Sequence, residues 1–363
     1  MKKIKYNNIH EKPEKQILIK NDFFKNNKKM EGFENLEEIN LFKSQQLFSK
    51  NFLKASQKIE KKNKETQKKE SFNFLPPKDE SKYTLKEGTN IVEGILVQKF
   101  LFNGEHSKFY LGYIEQLKTT IMIKSFDYSK QDDNFFETLS EVVENIQNLS
   151  HPNLLSYFDV EIVKNGSTGI ILMENFENSI SLEKYFKIYN SQNPKSKGLN
   201  IKHIKIIMKG ILSGLSYLHQ NDVYHSELNL KNILISENDI SNVKIINYSI
   251  KANKELIQNN PYYSSPIIAF NKRPSYEDDI WSIGCILFEL FCGYKPYYDL
   301  NAFNTRCSLA QYITPLEEAN DDLKDIFYDR KNRVVLDFLN KCFRTTETTR
   351  PKAEDLLKHK FFN

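Results

Sequence analysis

The 363-residue chain is long enough for a large domain with a tail, and its hydrophobic (39%) and aromatic (13%) content can fill a substantial core. A net charge of +5 gives no electrostatic case for nucleic-acid binding, and no run of 18 apolar residues is present to cross a membrane. The charge is uneven: residues 1–80 hold 19 Lys against 12 Asp or Glu, a surplus of seven, which leaves the remainder at −2.

Residues 1–82, rich in Lys, Asn, Glu and Gln, are too polar to bury a core alone. Within them Phe48, Phe52, Ala55 and Ile59 recur at helical spacing and mark one apolar face, the expected docking arm for a protein partner. Pro76 and Pro77 mark a linker. From residue 83 the pattern changes to short alternating segments. Residues 94–102, 108–115 and 119–126 read as strands, 134–149 as a helix stopped by the turn His151-Pro152-Asn153, and 155–163 and 169–174 as two more strands. Beyond residue 175 helices take over, at 201–219, 279–291, 334–343 and 353–359. Between the first two of these lies a polar turn, Tyr224 to Asn232, followed by a short apolar strand. Cys285, Cys292, Cys307 and Cys342 form no C-x-x-C pair and suggest no zinc site. Free thiols and the lack of a signal peptide lead to an expected cytoplasmic location.

The turn His225-Ser226-Glu227-Leu228-Asn229-Leu230-Lys231-Asn232 resembles the protein-kinase catalytic loop, H-R-D-L-x-x-x-N. Other landmarks agree in the family's order. Ile121-Met122-Ile123-Lys124 resembles the V-A-I-K strand, and Leu172-Met173-Glu174 the hinge with Met173 as gatekeeper. Asp279-Ile280-Trp281-Ser282-Ile283-Gly284 and Arg350-Pro351 follow. The resemblance implies an α+β, bilobal fold: a small antiparallel lobe at about 83–174 with one main helix, and a larger helical lobe at about 175–363. In that fold Asp279 would accept backbone N–H groups of the catalytic loop, and His225 would be a packed structural histidine. His219, at a helix end, reads as structural as well.

At the chemical positions this chain departs from the family. The resemblance places Glu227 at the base position, Asn229 at the position of the loop lysine, and Asn232 and Asn247 at the two metal positions. Asn247-Tyr248-Ser249 stands where D-F-G is expected, so a metal-binding carboxylate has become a neutral amide. Of the three phosphate-loop glycines only Gly104 remains. The adenine site maps to Phe109 and Met122 at the roof, Leu234 at the floor, and Lys124, Met173 and Glu174 around it. Both roof side chains are larger than the family's, so they are expected to fill the site. Val142 stands where the helix Glu should face Lys124, with Glu141 one position off. Ser226 replaces the loop Arg. Ser265-Pro266-Ile267 replaces A-P-E, which leaves Arg350 without its family carboxylate.

The resulting expectation is a pseudokinase with little or no phosphotransfer, acting as a scaffold, allosteric regulator or assembly component. Two alternatives stand beside it. One is a divergent ATP-dependent serine/threonine protein kinase of low activity; the other is a structural assembly protein anchored by its N-terminal extension. No cofactor is expected, with ATP left open and magnesium disfavoured. The expected partners are proteins, reached through residues 1–80 and the kinase-like surface, with no nucleic acid.

Overall fold

The computed structural model describes residues 84–363 apart from 93, 104–106, 128–134, 164–167, 195, 249–260 and 267–273. The tail with its Phe48, Phe52, Ala55, Ile59 stripe, and the loop residue Gly104, lie outside the described residues.

The first lobe is a six-stranded antiparallel sheet. Its strands are β1 (Asn90–Val92), β2 (Ile95–Asn103), β3 (Ser107–Ile114), β4 (Thr119–Asp127), β5 (Tyr157–Ile162) and β6 (Thr168–Glu174), in the spatial order β1-β2-β3-β4-β6-β5. Strict alternation of buried and half-buried residues along the end of β3 is the period-2 signature that puts one face on a core. Helix α1 (Phe135–Ile146) packs on β5 and buries Leu139, Val143 and Ile146, which share a face at helical spacing. The turn after it is held by His151, whose Nδ1 accepts the Asn153 N–H at 3.1 Å.

The second lobe begins with a three-stranded sheet, β7 (Ser179–Ser181), β8 (Ile233–Ser236) and β9 (Val243–Ile245), and with helix α2 (Leu182–Gln192). Helix α3 (Ile201–Gln220) starts where the Asn200 side chain accepts the Lys202 N–H at 2.8 Å. It buries Ile204, Ile207, Met208, Ile211, Leu212, Leu215 and Leu218 along one face. Helix α4 (Tyr276–Cys292) is nearly all buried, apolar from Ile280 onward except for Ser282 and Glu289, as suits a helix through the middle of a lobe. It ends at Gly293, whose φ of +89° and close approach to Lys197 demand glycine: a Cβ there would sit 1.6 Å from the Lys197 carbonyl oxygen. Around α4 lie α5 (Ala302–Ala310), α6 (Pro315–Glu318), α7 (Asp321–Tyr328), α8 (Arg333–Cys342) and α9 (Ala353–Leu357). One continuous apolar core runs through both lobes, from Met122 and Met173 to Trp281 and Phe338. The expected bilobal α+β fold is the observed one.

Short elements were not anticipated. Strands β1, β7 and β9 have only three residues each, below the length at which alternation is visible. Helix α5 carries no apolar face at all, so its sequence has no period to read.

Candidate functional site

The catalytic-loop equivalent is shaped by buried carboxylate chemistry. Asp279, in the first turn of α4, accepts the backbone N–H groups of His225 (2.7 Å) and Ser226 (2.9 Å), as its sequence position implied. His219 Nε2, at the end of α3, adds a third contact at 2.9 Å. That partner was missed by sequence reasoning, which placed His219 only by its helix. The hold on two successive N–H groups supports Ser226 in the left-handed region at φ +65°. His225 is buried. Its Nε2 donates to the Ile246 carbonyl at 2.9 Å while its Nδ1 accepts the Glu227 N–H at 3.2 Å, which defines a neutral ring. Burial holds its pKa below the ordinary histidine value.

Beyond His225 the asparagine side chains are used within the loop itself. Glu227, at the base position, offers its carbonyl to two amides, Asn229 Nδ2 at 3.0 Å and Asn232 Nδ2 at 2.8 Å. Asn229 Oδ1 accepts the Lys231 N–H at 2.9 Å and so starts the helical turn Leu230–Asn232. Where the family's loop lysine would reach toward phosphate, the amide is buried as a cap. Asn232 Oδ1 then accepts Nδ2 of Asn247 at 2.9 Å. The two metal positions are joined by an amide–amide hydrogen bond. Asn247 is itself at φ +60°, and its N–H donates to the Tyr157 hydroxyl at 2.7 Å.

Neither Asn232 nor Asn247 carries a carboxylate. Magnesium prefers anionic oxygens at short, tightly constrained distances. Here the Asn232 oxygen is occupied by a donor, its NH2 group is committed to Glu227, and the partner position holds no charge. Among the described residues no group of three or more His, Cys, Asp or Glu is placed to hold a metal elsewhere.

The sheet registers place the remaining candidates. Phe109 pairs opposite Lys124, and Met122 lies between Leu111 and Met173 on its two neighbouring strands. Met122 and Met173 are buried in the core, with Phe109 and Leu234 packed against it. The Phe109 ring stacks on Phe102 with centroids 4.6 Å apart, and the Lys124 ammonium lies 5.9 Å from its centroid. On α1, Val142 packs against the core and Glu141 is exposed. Glu174 is engaged: its carboxylate meets the Lys244 ammonium at 3.0 Å and accepts the Ser156 N–H at 3.1 Å. Lys244, buried on β9, was not singled out from the sequence because a lone lysine in a strand looks like a solvated one.

Arg350, without the A-P-E carboxylate of the family, has a counter-charge from elsewhere in the chain. Its Nη1 lies 3.7 Å from Asp278 Oδ1 and donates to the Glu277 carbonyl at 2.9 Å, with the guanidinium 5.0 Å from the Trp281 ring centroid. Asp278 also accepts hydrogen bonds from the Ser265 hydroxyl and the Ser275 N–H. The counter-charge comes from the first turn of α4, where Asp278 directly precedes Asp279. Glu227, Asn229, Tyr263, Ser265 and Asp278 line a small cleft beside the loop.

The family model for the protein kinase domain matches residues 96–362. The chain belongs to the protein kinase family. MAP3K epsilon protein kinase 2 of Arabidopsis thaliana is 26% identical over 263 residues, 70% of this chain and 18% of that protein. A probable serine/threonine-protein kinase of Dictyostelium discoideum is 28% identical over 244 residues, 66% of this chain and 35% of that protein. Serine/threonine-protein kinase Tao of Drosophila melanogaster is 26% identical over 266 residues, 71% of this chain and 24% of that protein. The chain therefore spans well under half the length of these relatives. No helix among the described residues is long and apolar enough to cross a membrane.

Proposed function

We propose that this protein kinase domain is a pseudokinase, working as a protein-interaction scaffold or allosteric component with little or no phosphotransfer. The observation that carries the reading is the 2.9 Å hydrogen bond from Asn247 Nδ2 to Asn232 Oδ1. Phosphoryl transfer depends on metal ions that neutralise charge on the phosphates, and on an oriented acceptor hydroxyl. Here the two metal positions satisfy each other, the loop lysine is a capping amide, and Glu227 carries an extra methylene at the base position. Phe109 and Met122 reduce the room for an adenine ring.

The test is calorimetric titration of ATP with and without magnesium, paired with a phosphotransfer assay on generic protein substrates. The expected result is no magnesium-dependent gain in affinity and no turnover. Tight magnesium-dependent binding, with turnover abolished by Lys124→Ala, would overturn the proposal. That outcome belongs to the second reading, a slow serine/threonine protein kinase, which the presence of Lys124, Glu227 and Asn232 in a kinase fold favours.

The extension at residues 1–80 is the proposed partner-binding arm. Deleting residues 1–75 should leave the thermal midpoint of the domain nearly unchanged while abolishing association in cell extract, and Phe48→Asp with Phe52→Asp should do the same. Unfolding of the domain on truncation would show the stripe to be intramolecular and end that reading.

A further inference from the structure

Two tyrosines meet where the small-lobe sheet touches the segment after β9. Tyr157 opens β5, and Tyr248 stands where the family carries the phenylalanine of D-F-G. Both are fully buried, and their rings meet edge to face with centroids 5.2 Å apart. The Tyr157 hydroxyl accepts the Asn247 N–H at 2.7 Å, and the Tyr248 hydroxyl donates to the Leu155 carbonyl at 2.6 Å. Within the same few residues the Leu155 N–H donates to Ile245 at 3.0 Å and the Ile245 N–H to Asn153 at 2.9 Å. Bonds therefore run in both directions between the start of β5 and the end of β9.

A phenylalanine at position 248 would be held by ring packing alone. A buried hydroxyl must in addition find an acceptor, and one left without a partner is costly. Any conformer that swings residues 247–248 outward takes these donors from the buried Leu155 carbonyl and Tyr157 hydroxyl together, and also breaks the Asn247–Asn232 amide bond. Burial keeps both phenols protonated well beyond the ordinary tyrosine range, so the arrangement does not titrate near neutral pH.

We propose that Tyr157 and Tyr248 form a latch between the lobes, which holds residues 247–248 in one conformation with neither nucleotide nor metal bound. The surface offered to a partner is then independent of nucleotide. This does not rest on the absence of phosphotransfer, because a slow kinase could carry the same latch.

Hydrogen exchange of the full chain tests it, comparing the amides of residues 245–248 with those inside α4, with no addition and with ATP plus magnesium. In the wild type, residues 245–248 should be as protected without nucleotide as with it. Tyr157→Phe and Tyr248→Phe should each speed their exchange about tenfold relative to α4, the ratio for one ordinary hydrogen bond. Protection that appears only with nucleotide, or exchange unchanged in both variants, would overturn the latch. If a variant fails to fold, the wild type in urea decides. Residues 245–248 must then exchange with the same urea dependence as α4, and exchange through an earlier local opening refutes the proposal.

Discussion

Single residues decide what the loop can do, and Asn247 decides most. Its side chain donates to Asn232, so replacing it with aspartate sets an acceptor against an acceptor. Asn247→Asp should lower stability in EDTA by about 1–3 kcal/mol, and magnesium should reverse the loss by bridging the two oxygens. Thermal melts with EDTA and with magnesium check this. Equal midpoints for the variant in both would show that the remaining geometry cannot accept the ion. The identity of Asn247 was legible in the sequence as a lost carboxylate. Its hydrogen bond was not, because only the fold brings residue 247 to residue 232.

At the scale of elements, α4 organises the large lobe, and both of its ends can be tested. At the first turn, burial pushes the Asp278 carboxyl up and the Arg350 guanidinium down, so desolvation outweighs their mutual attraction. Such a pair contributes little net stability, yet breaking it leaves a buried charge. Asp278→Ala should cost about 3–5 kcal/mol alone and much less in an Arg350→Met background; a double-mutant cycle by denaturant unfolding measures the coupling. Equal costs in both backgrounds would separate Asp278 from Arg350. At the far end, Gly293→Ala should cost more than about 3 kcal/mol, since it adds left-handed strain and a Cβ pressed on the Lys197 carbonyl. A loss below about 1 kcal/mol would mean that the 197 segment yields easily.

For the whole molecule, two neutral histidines, His225 buried and His151 half-buried, set the acid limit. Burial, aided by Lys244, holds His151 down to about 4, and burial also lowers His225. Unfolding returns both to about 6.5. Below that value the unfolded chain binds protons that the folded chain refuses, so their contribution is complete above about 6.5 and is lost as pH falls below it, for His151 toward about 4. The thermal midpoint should fall monotonically over that window, and His151→Gln should flatten the fall. A profile in His151→Gln as steep as the wild type would remove His151 from the account.

Sequence by itself determined the kinase fold, the strands and helices long enough to show a period, and the residue types by which the loop departs from the family. Ordered landmarks such as Asp279 and Arg350 carry their positions in the family with them, and the change from carboxylate to amide at 247 is written in the residue type. Tertiary structure decided the pairings: Asn247 with Asn232, Arg350 with Asp278, His219 with Asp279, and Tyr157 with residue 247. Each joins residues 15 to 90 positions apart. Local spacing carries no information about such pairs, because buried polar groups take whichever partner the packed core brings within about 3 Å.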